Sequence, residues 1–282
     1  MSVRTIGVIG AGIMGRGIAQ IAATTGLNVT LVDVGERAVK NALDAVEGNL
    51  TRLVGKGKMT AAEKETALRL IHGTTAYEDL KTVDVVIEAA TENFDTKVKI
   101  LKQVDALVRA EAIIASNTSS ISITKLASAV SHPDHVIGMH FFNPVPAMNL
   151  VEIARGLQTS DATHDAIEAL ALQLGKSPIT VKSGPGFVVN RILLPMINEA
   201  FFVLAEGDTS PTEIDQGMKL GCNHPIGPLA LADLIGLDVL LSVMQTIHDE
   251  LADSKYRPCP LLKEMVAAGY LGRKTGRGVY RY

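Results

Sequence analysis

The stretch TIGVIGAGIMGRGIAQIAATTG, residues 5–26, constrains the fold of this chain more than any other. A short apolar run enters Gly10, Gly12 and Gly15, and a helical pattern follows at once. The spacing G-x-G-x-x-G between a strand and a helix is what a dinucleotide-binding turn needs. Gly10 makes the turn, Gly12 leaves room for a pyrophosphate against the backbone, and Gly15 lets the helix pack closely. The diphosphate would sit at the helix N-terminus, where backbone N–H groups and the helix dipole attract anions. A second strand pattern, NVTLVD (28–33), ends in Asp33, at the expected distance of about 20 residues beyond the glycines. A carboxylate there accepts both adenosine-ribose hydroxyls and repels a 2′-phosphate, so NAD is expected over NADP. Arg37, close by in sequence, is the residue that could tolerate a 2′-phosphate.

Three more apolar strand candidates follow, VDVVIEAA (83–90), AIIAS (112–116) and HVIGMHFF (135–142), with helix-forming segments such as FDTKVKILKQVDALV between them. Strands alternating with helices predict an α/β fold with a mostly parallel, doubly wound sheet. Ligands of such sheets bind beyond the carboxyl ends of the strands, where Glu92, Lys97, Asn117, Ser119 and His140 fall. The helical segment NLTRLVGKGKMTAAEKE interrupts the alternation and carries Arg52, Lys56 and Lys58, either as a solvated basic face or as a contact for a phosphate-rich substrate. After SPITVKSGPGF the strand-like pattern ends. VVNRILLPMINEAFFVLAEG, SPTEIDQGMKLG and PLALADLIGLDVLLSVMQTIHDEL all read as helices, which puts a boundary near Ser183 and domains at 1–183 and 184–282. Asn190 falls near the start of the first of these helices, and Pro195 either kinks that helix or is tolerated in it. Apolar residues on more than one side of these helices suit a dimer interface as well as a core.

Composition narrows the partners. With 47% hydrophobic against 20% charged residues in 282, the chain is that of a folded globular protein. A net charge of −3 leaves no strong basic field, so nucleic acid is not expected as a partner. The two cysteines, Cys222 and Cys259, have no CxxC spacing, and neither a disulfide framework nor a metal site is expected. There is no signal-peptide pattern and no apolar run approaching a membrane span, which makes a cytoplasmic location the expectation and a membrane partner not one.

The stretch GMHFFNPVPAMNLVEIARG, residues 138–156, holds His140 and, twelve positions on, Glu152. Histidine titrates near neutral pH, so it can take the proton of an alcohol as hydride leaves, or return one to a carbonyl. It needs a partner to fix its tautomer, and NPVPAM could turn the chain back to bring Glu152 against the ring. Alone, His140 reads as a structural histidine; beside a dinucleotide motif it reads as an acid/base. Ser119, in SNTSS, is a candidate donor to the reacting oxygen, although spacing does not separate it from Ser116, Ser120 or Ser122. The segment has no G-x-S-x-G elbow, which argues against a nucleophile.

With GVIGAGIMGRGIA, EAATENFDTK, ASNTSSISIT, GMHFFNPVPAMNLVEI, GPGFVVNRILLPMINEA, NHPIGPLALADLIGLD and GRKTGRGVYRY, the chain resembles the (S)-3-hydroxyacyl-CoA dehydrogenase family over nearly its whole length. The combination of HFFNPVP with PGFVVNR is the specific part. The resemblance implies an N-terminal Rossmann-type doubly wound sheet, an all-helical C-terminal domain for substrate binding and dimerisation, and a homodimer. It implies reversible hydride transfer between NAD(H) and a short-chain CoA thioester, 3-hydroxybutyryl-CoA or acetoacetyl-CoA, bound in a cleft between the domains. His140 is then the general acid/base oriented by Glu152, while Ser119 and Asn190 hold the 3-oxygen and thioester region. Glu92, Lys97 and Asn117 line the nicotinamide and its ribose, and Arg52 and Lys56 approach the CoA phosphates. The alternatives are the same reaction with NADP(H) or longer acyl chains, and a non-catalytic, crystallin-like binding protein on this fold.

Overall fold

The apolar run Thr5–Ile9 (β1) is buried on both faces, as the centre of a parallel sheet covered by helices requires. The computed structural model describes residues 3–282. After β1 come Ile13–Thr24 (α1), Asn28–Val32 (β2), Glu36–Gly55 (α2), Ala61–Arg69 (α3), Ile71–Thr74 (β3) and Val85–Glu88 (β4). Phe94–Asp105 (α4), Ile113–Ser116 (β5), Ile123–Ala127 (α5) and Val136–Phe141 (β6) follow, then Leu150–Arg155 (β7), Asp161–Gln173 (α6) and Ser177–Lys182 (β8). The strands form one sheet in the order β3-β2-β1-β4-β5-β6-β7-β8, parallel as far as β6. β7 then runs antiparallel to β6, and β8 runs parallel to β7. The order reverses at β1, which lies between β2 and β4, so a crevice opens at the carboxyl ends of β1 and β4. The doubly wound sheet expected from the sequence is present.

Two of its strands were not expected. β3, with the sequence IHGT, has one large apolar residue, and β7 has Glu152 in its middle; both exist through pairing with a neighbouring strand. The basic segment expected as helical is two helices. Gly57 takes a left-handed φ of 66° after α2, and α3 restarts on a capping box formed by Thr60 and Glu63.

Compact packing divides the described chain after Gly184, and Pro185–Tyr282 form the second unit. Its helices are Val189–Glu206 (α7), Pro211–Gly221 (α8), Pro228–Ile235 (α9), Leu237–Leu251 (α10) and Pro260–Ala267 (α11). Leu194, Ile197, Phe201, Leu229, Leu240 and Met244 meet in its core. Helix α7 continues through Pro195. The single helix expected over 228–251 is instead two, meeting at 97°. Gly236 between them has a φ of 103°, outside the helical region, and its own N–H closes α9 on Ala232. Among the described residues no single helix is long and apolar enough to cross a membrane.

Two buried carboxylates organise this unit. Asp233 accepts the N–H groups of Val279 and Tyr280, each at 2.9 Å, and the Tyr282 hydroxyl at 3.1 Å. Asp215 accepts Leu229 and Ala230 N–H at the start of α9, and the Tyr280 hydroxyl at 2.7 Å. Burial and this carboxylate together push the Tyr280 phenol well above its ordinary range.

Candidate active site

The three glycines of the first turn are glycines for different reasons. Gly10 has a φ of 100°, and a Cβ there would lie 2.6 Å from the Ala90 Cα; a Cβ on Gly15 would collide with the Gly10 carbonyl oxygen. Packing demands both. Gly12, with a φ of −71° and extended backbone, would place a Cβ within 4 Å of no protein atom. Neither packing nor conformation requires glycine at that position, and the backbone there is open. The twelve-residue α1 starts there, with no acidic residue in its first turn. Asp33 sits beside the loop, its carboxylate accepting Ala11 N–H at 2.8 Å and Gly35 N–H at 3.2 Å. Gly12 and the α1 N-terminus fit the diphosphate of a dinucleotide, and Asp33 fits a ribose.

At the same edge of the sheet, the antiparallel register of β6 and β7 puts His140 directly opposite Glu152. Directly opposed residues share a face, with Cβ atoms about 5 Å apart. His140 Nδ1 and Glu152 Oε2 are 2.8 Å apart, and the carboxylate has no exposed surface. Phe142 lies against the imidazole with ring centroids 4.6 Å apart. The connection between the strands is an arch in which the Pro144 carbonyl accepts the N–H groups of Ala147 and Met148. Lys176 donates to the carbonyls of Val145 at 2.7 Å and Met148 at 2.9 Å. Burial pushes its ammonium below the ordinary lysine value. The arch rests on α1: a Cβ on Gly17 would come within 2.9 Å of the Val145 Cβ.

The loop after β5 is gathered by one carboxylate oxygen. Glu92 Oε1 accepts the hydroxyls of Thr118 (2.7 Å), Ser119 (3.0 Å) and Ser120 (3.0 Å), and the N–H groups of Ser119 (2.9 Å) and Ser120 (3.1 Å). These partners separate the serines that spacing could not. Ser116 is buried against Glu88, Ser120 is buried, and Ser122 caps α5, which leaves Ser119 as the partly exposed hydroxyl of its loop. Asn117 ties this loop to the histidine strand, its Oδ1 accepting Phe141 N–H at 2.8 Å.

Lys97 is placed below this surface rather than on it. Its side chain is 1% exposed, and its Nζ lies 2.5 Å from Glu88 Oε2 and 3.8 Å from Glu92 Oε2. Glu88 and Thr118 received no role from sequence reasoning, and Ser120 entered it only as an alternative to Ser119; the available signal for Glu88 was a carboxylate closing the apolar run VVIE. Arg52 and Lys56 are exposed at the C-terminal end of α2, with the Arg52 guanidinium on the Asn49 side chain at 3.3 Å. Asn190, partly exposed, is the second residue of α7 in the second unit.

A parallel sheet whose carboxyl edge offers a diphosphate cradle and, along the same edge, an imidazole braced by a buried carboxylate is the working end of a nicotinamide-dependent dehydrogenase. Known proteins narrow that class. Residues 5–184 match the NAD binding domain of 3-hydroxyacyl-CoA dehydrogenase and residues 186–282 match its C-terminal domain, so the chain belongs to the 3-hydroxyacyl-CoA dehydrogenase family. It is similar to the crystal structure of (S)-3-hydroxybutyryl-CoA dehydrogenase from Ralstonia eutropha, with 66% identity and a TM-score of 0.97, covering 100% of this chain and 99% of that one. The 3-hydroxybutyryl-CoA dehydrogenase of Bradyrhizobium diazoefficiens is 51% identical over 280 residues, 99% of this chain and 96% of the relative. That of Clostridioides difficile is 50% identical over 277 residues, 98% of this chain and 99% of the relative.

Proposed function

We propose that this chain transfers hydride reversibly between NAD(H) and a short-chain (S)-3-hydroxyacyl-CoA, with 3-hydroxybutyryl-CoA and acetoacetyl-CoA as the substrate pair. The observation that carries this reading is the 2.8 Å contact between His140 Nδ1 and Glu152 Oε2. With Nδ1 held by the carboxylate, proton exchange with substrate falls to Nε2. In the oxidative direction Nε2 takes the 3-hydroxyl proton as hydride leaves C3, and in the reductive direction it returns that proton to the 3-oxygen. NAD, when bound, supplies the hydride acceptor opposite C3. Glu152 fixes the tautomer and stabilises the imidazolium that forms. The Ser119 hydroxyl donates to the 3-oxygen by rotating from Glu92, while its backbone N–H keeps the loop on that carboxylate.

Asn190 holds the thioester region from the helical unit, which we assign to substrate binding and dimerisation. Exposed apolar side chains on α7, Ile192 at 68% and Val203 at 37%, support a homodimer through that helix. They are eleven residues apart, three helical turns, and so lie on one face. Arg52 and Lys56 meet the CoA phosphates, and Asp33 selects NAD over NADP. A cytoplasmic setting suits the free thiols Cys222 and Cys259.

Absorbance at the reduced-nicotinamide band, with acetoacetyl-CoA and each reduced cofactor supplied separately, tests the reading. NADH should be consumed, and faster than NADPH. Cofactor binding with no consumption would favour a binding protein, and faster use of NADPH would overturn the role of Asp33.

A further inference from the structure

Glu88 closes β4 beside the crevice, pairing with Ile9 of β1 and Ser116 of β5, and has no exposed surface. A carboxylate is costly in such a place unless every lone pair is used and a cation is near. Here Oε1 accepts the Ala90 N–H at 2.9 Å, while Oε2 takes the Ser116 hydroxyl at 2.8 Å and the Lys97 ammonium at 2.5 Å. Each partner leads toward the cofactor side. Ala89 and Ala90 form the backbone against which Gly10 packs, and Ser116 begins the loop that carries Ser119. Lys97 lies between two carboxylates, with Glu92 Oε2 at 3.8 Å, and Glu92 holds residues 118–120 through its other oxygen. One buried ammonium thereby bridges two carboxylates in close quarters. Without the Glu88 carboxylate, the ammonium would be free to close on Glu92 Oε2 and draw that carboxylate off the serine loop.

We propose that Glu88 is a positioning residue for the dehydrogenase reaction. It holds Lys97 at the distance that leaves Glu92 on the Ser119 loop, and it presents the Ala89–Ala90 turn to the first glycine. Cofactor affinity and turnover then depend on a side chain that touches neither cofactor nor substrate. The inference rests on the reading of the glycine turn as the NAD site and of Ser119 as the donor to the 3-oxygen.

The test uses the full-length chain and three variants, Glu88→Gln, the double replacement Glu88→Leu with Lys97→Met, and Glu92→Gln. NADH dissociation constants come from nicotinamide fluorescence, thermal midpoints from unfolding scans, and kcat and KM from acetoacetyl-CoA reduction. Apolar side chains of similar volume generally replace a buried ion pair without loss of stability. The double variant should therefore fold, with a thermal midpoint lowered only by the Ala90 N–H and Ser116 hydroxyl that it leaves without an acceptor. With Glu88 no longer holding the Ala89–Ala90 turn against Gly10, it should still bind NADH and turn over roughly 10- to 100-fold worse, the scale of effect expected when a reacting group is displaced by about an ångström. Glu88→Gln should show the same defect in affinity and turnover. Recovery of both midpoint and NADH affinity in the double variant would reduce the pair to a space-filling role and overturn the proposal. Should Glu88→Gln fail to fold, the double variant decides in the same way. Glu92→Gln changes an exposed side chain, and wild-type affinity and turnover in it would break the chain of contacts and also overturn the proposal. A wild-type chain that binds NADH without reducing acetoacetyl-CoA would refute the substrate reading and leave the affinity measurements in force.

Discussion

In the first unit the buried carboxylates Glu88 and Glu152 face ionisable side chains, Lys97 and His140, at the carboxyl edge of the sheet. In the second, Asp215 and Asp233 face backbone N–H groups and tyrosine hydroxyls that tie the C-terminal segment to the helices. All four are buried. The difference lies in what their partners can do. A backbone N–H donates at every pH and exchanges nothing with a ligand, so a fully buried carboxylate held by it serves architecture, unlike the partly exposed Asp33. An imidazole or ammonium changes charge or position, so a carboxylate spent on it sets chemistry. Burial alone does not mark a functional acid; the nature of the donor does.

The sharpest way to break this contrast is His140→Gln. The amide can still donate to Glu152 but carries no exchangeable proton of the right pKa, so kcat should fall roughly 10²- to 10⁴-fold with little change in thermal midpoint. Near-normal turnover would remove His140 from the reaction. The reciprocal experiment is Asp233→Ala, which strands the N–H groups of Val279 and Tyr280. Denaturant unfolding should show a loss of about 2–4 kcal/mol, with kcat of the folded enzyme little altered. Lost turnover at unchanged stability would reverse the assignment.

A smaller effect is expected from joint replacement of Arg52 and Lys56 by alanine. KM for acetoacetyl-CoA should rise roughly tenfold, the loss of one or two exposed charge contacts, and should rise less for an analogue lacking the nucleotide end. Equal rises for the two would reject phosphate contact.

The smallest effect concerns Asp84, at the amino end of β4, opposite Glu88. Burial pushes this carboxyl upward, but the Arg4 N–H, the Thr5 hydroxyl and N–H, and the Arg109 guanidinium outweigh burial and hold it below the ordinary value of 3.8. A depressed folded value contributes stability above 3.8 that disappears as pH falls through the lower folded value. Asp84→Asn should therefore lower the midpoint at pH 7, by about 1 kcal/mol in stability, and the gap to wild type should close on acidification below that value. A gap that persists unchanged in acid would show that charge is not what Asp84 contributes. Turnover should not change, which distinguishes the two ends of one strand.

Much of this was legible in the sequence where local spacing carries the information. The glycine turn, Asp33 at the end of β2, the alternation of strands and helices, and the return of the chain from His140 to Glu152 all depend on short stretches. β7 was not legible, because Glu152 interrupts its apolar run and the strand exists through the register it keeps with β6. The corner at Gly236 was hidden for a similar reason: a lone glycine is compatible with a helix, and its φ of 103° is selected where α10 packs back on the unit. Choosing Ser119 from among its neighbours required knowing what each of the others bonds. The burial of Lys97 required knowing that Glu88 waits at the end of the adjacent strand.

The missing side chain at Gly17 limits how this protein can vary over evolutionary time. Since Val145 already fills the space a methyl group would take, residue 17 can grow only if residue 145 shrinks, and the two positions should covary as a pair. A lineage that enlarged one without trimming the other would lift the arch off the helix and tilt the hairpin that carries His140 and Glu152.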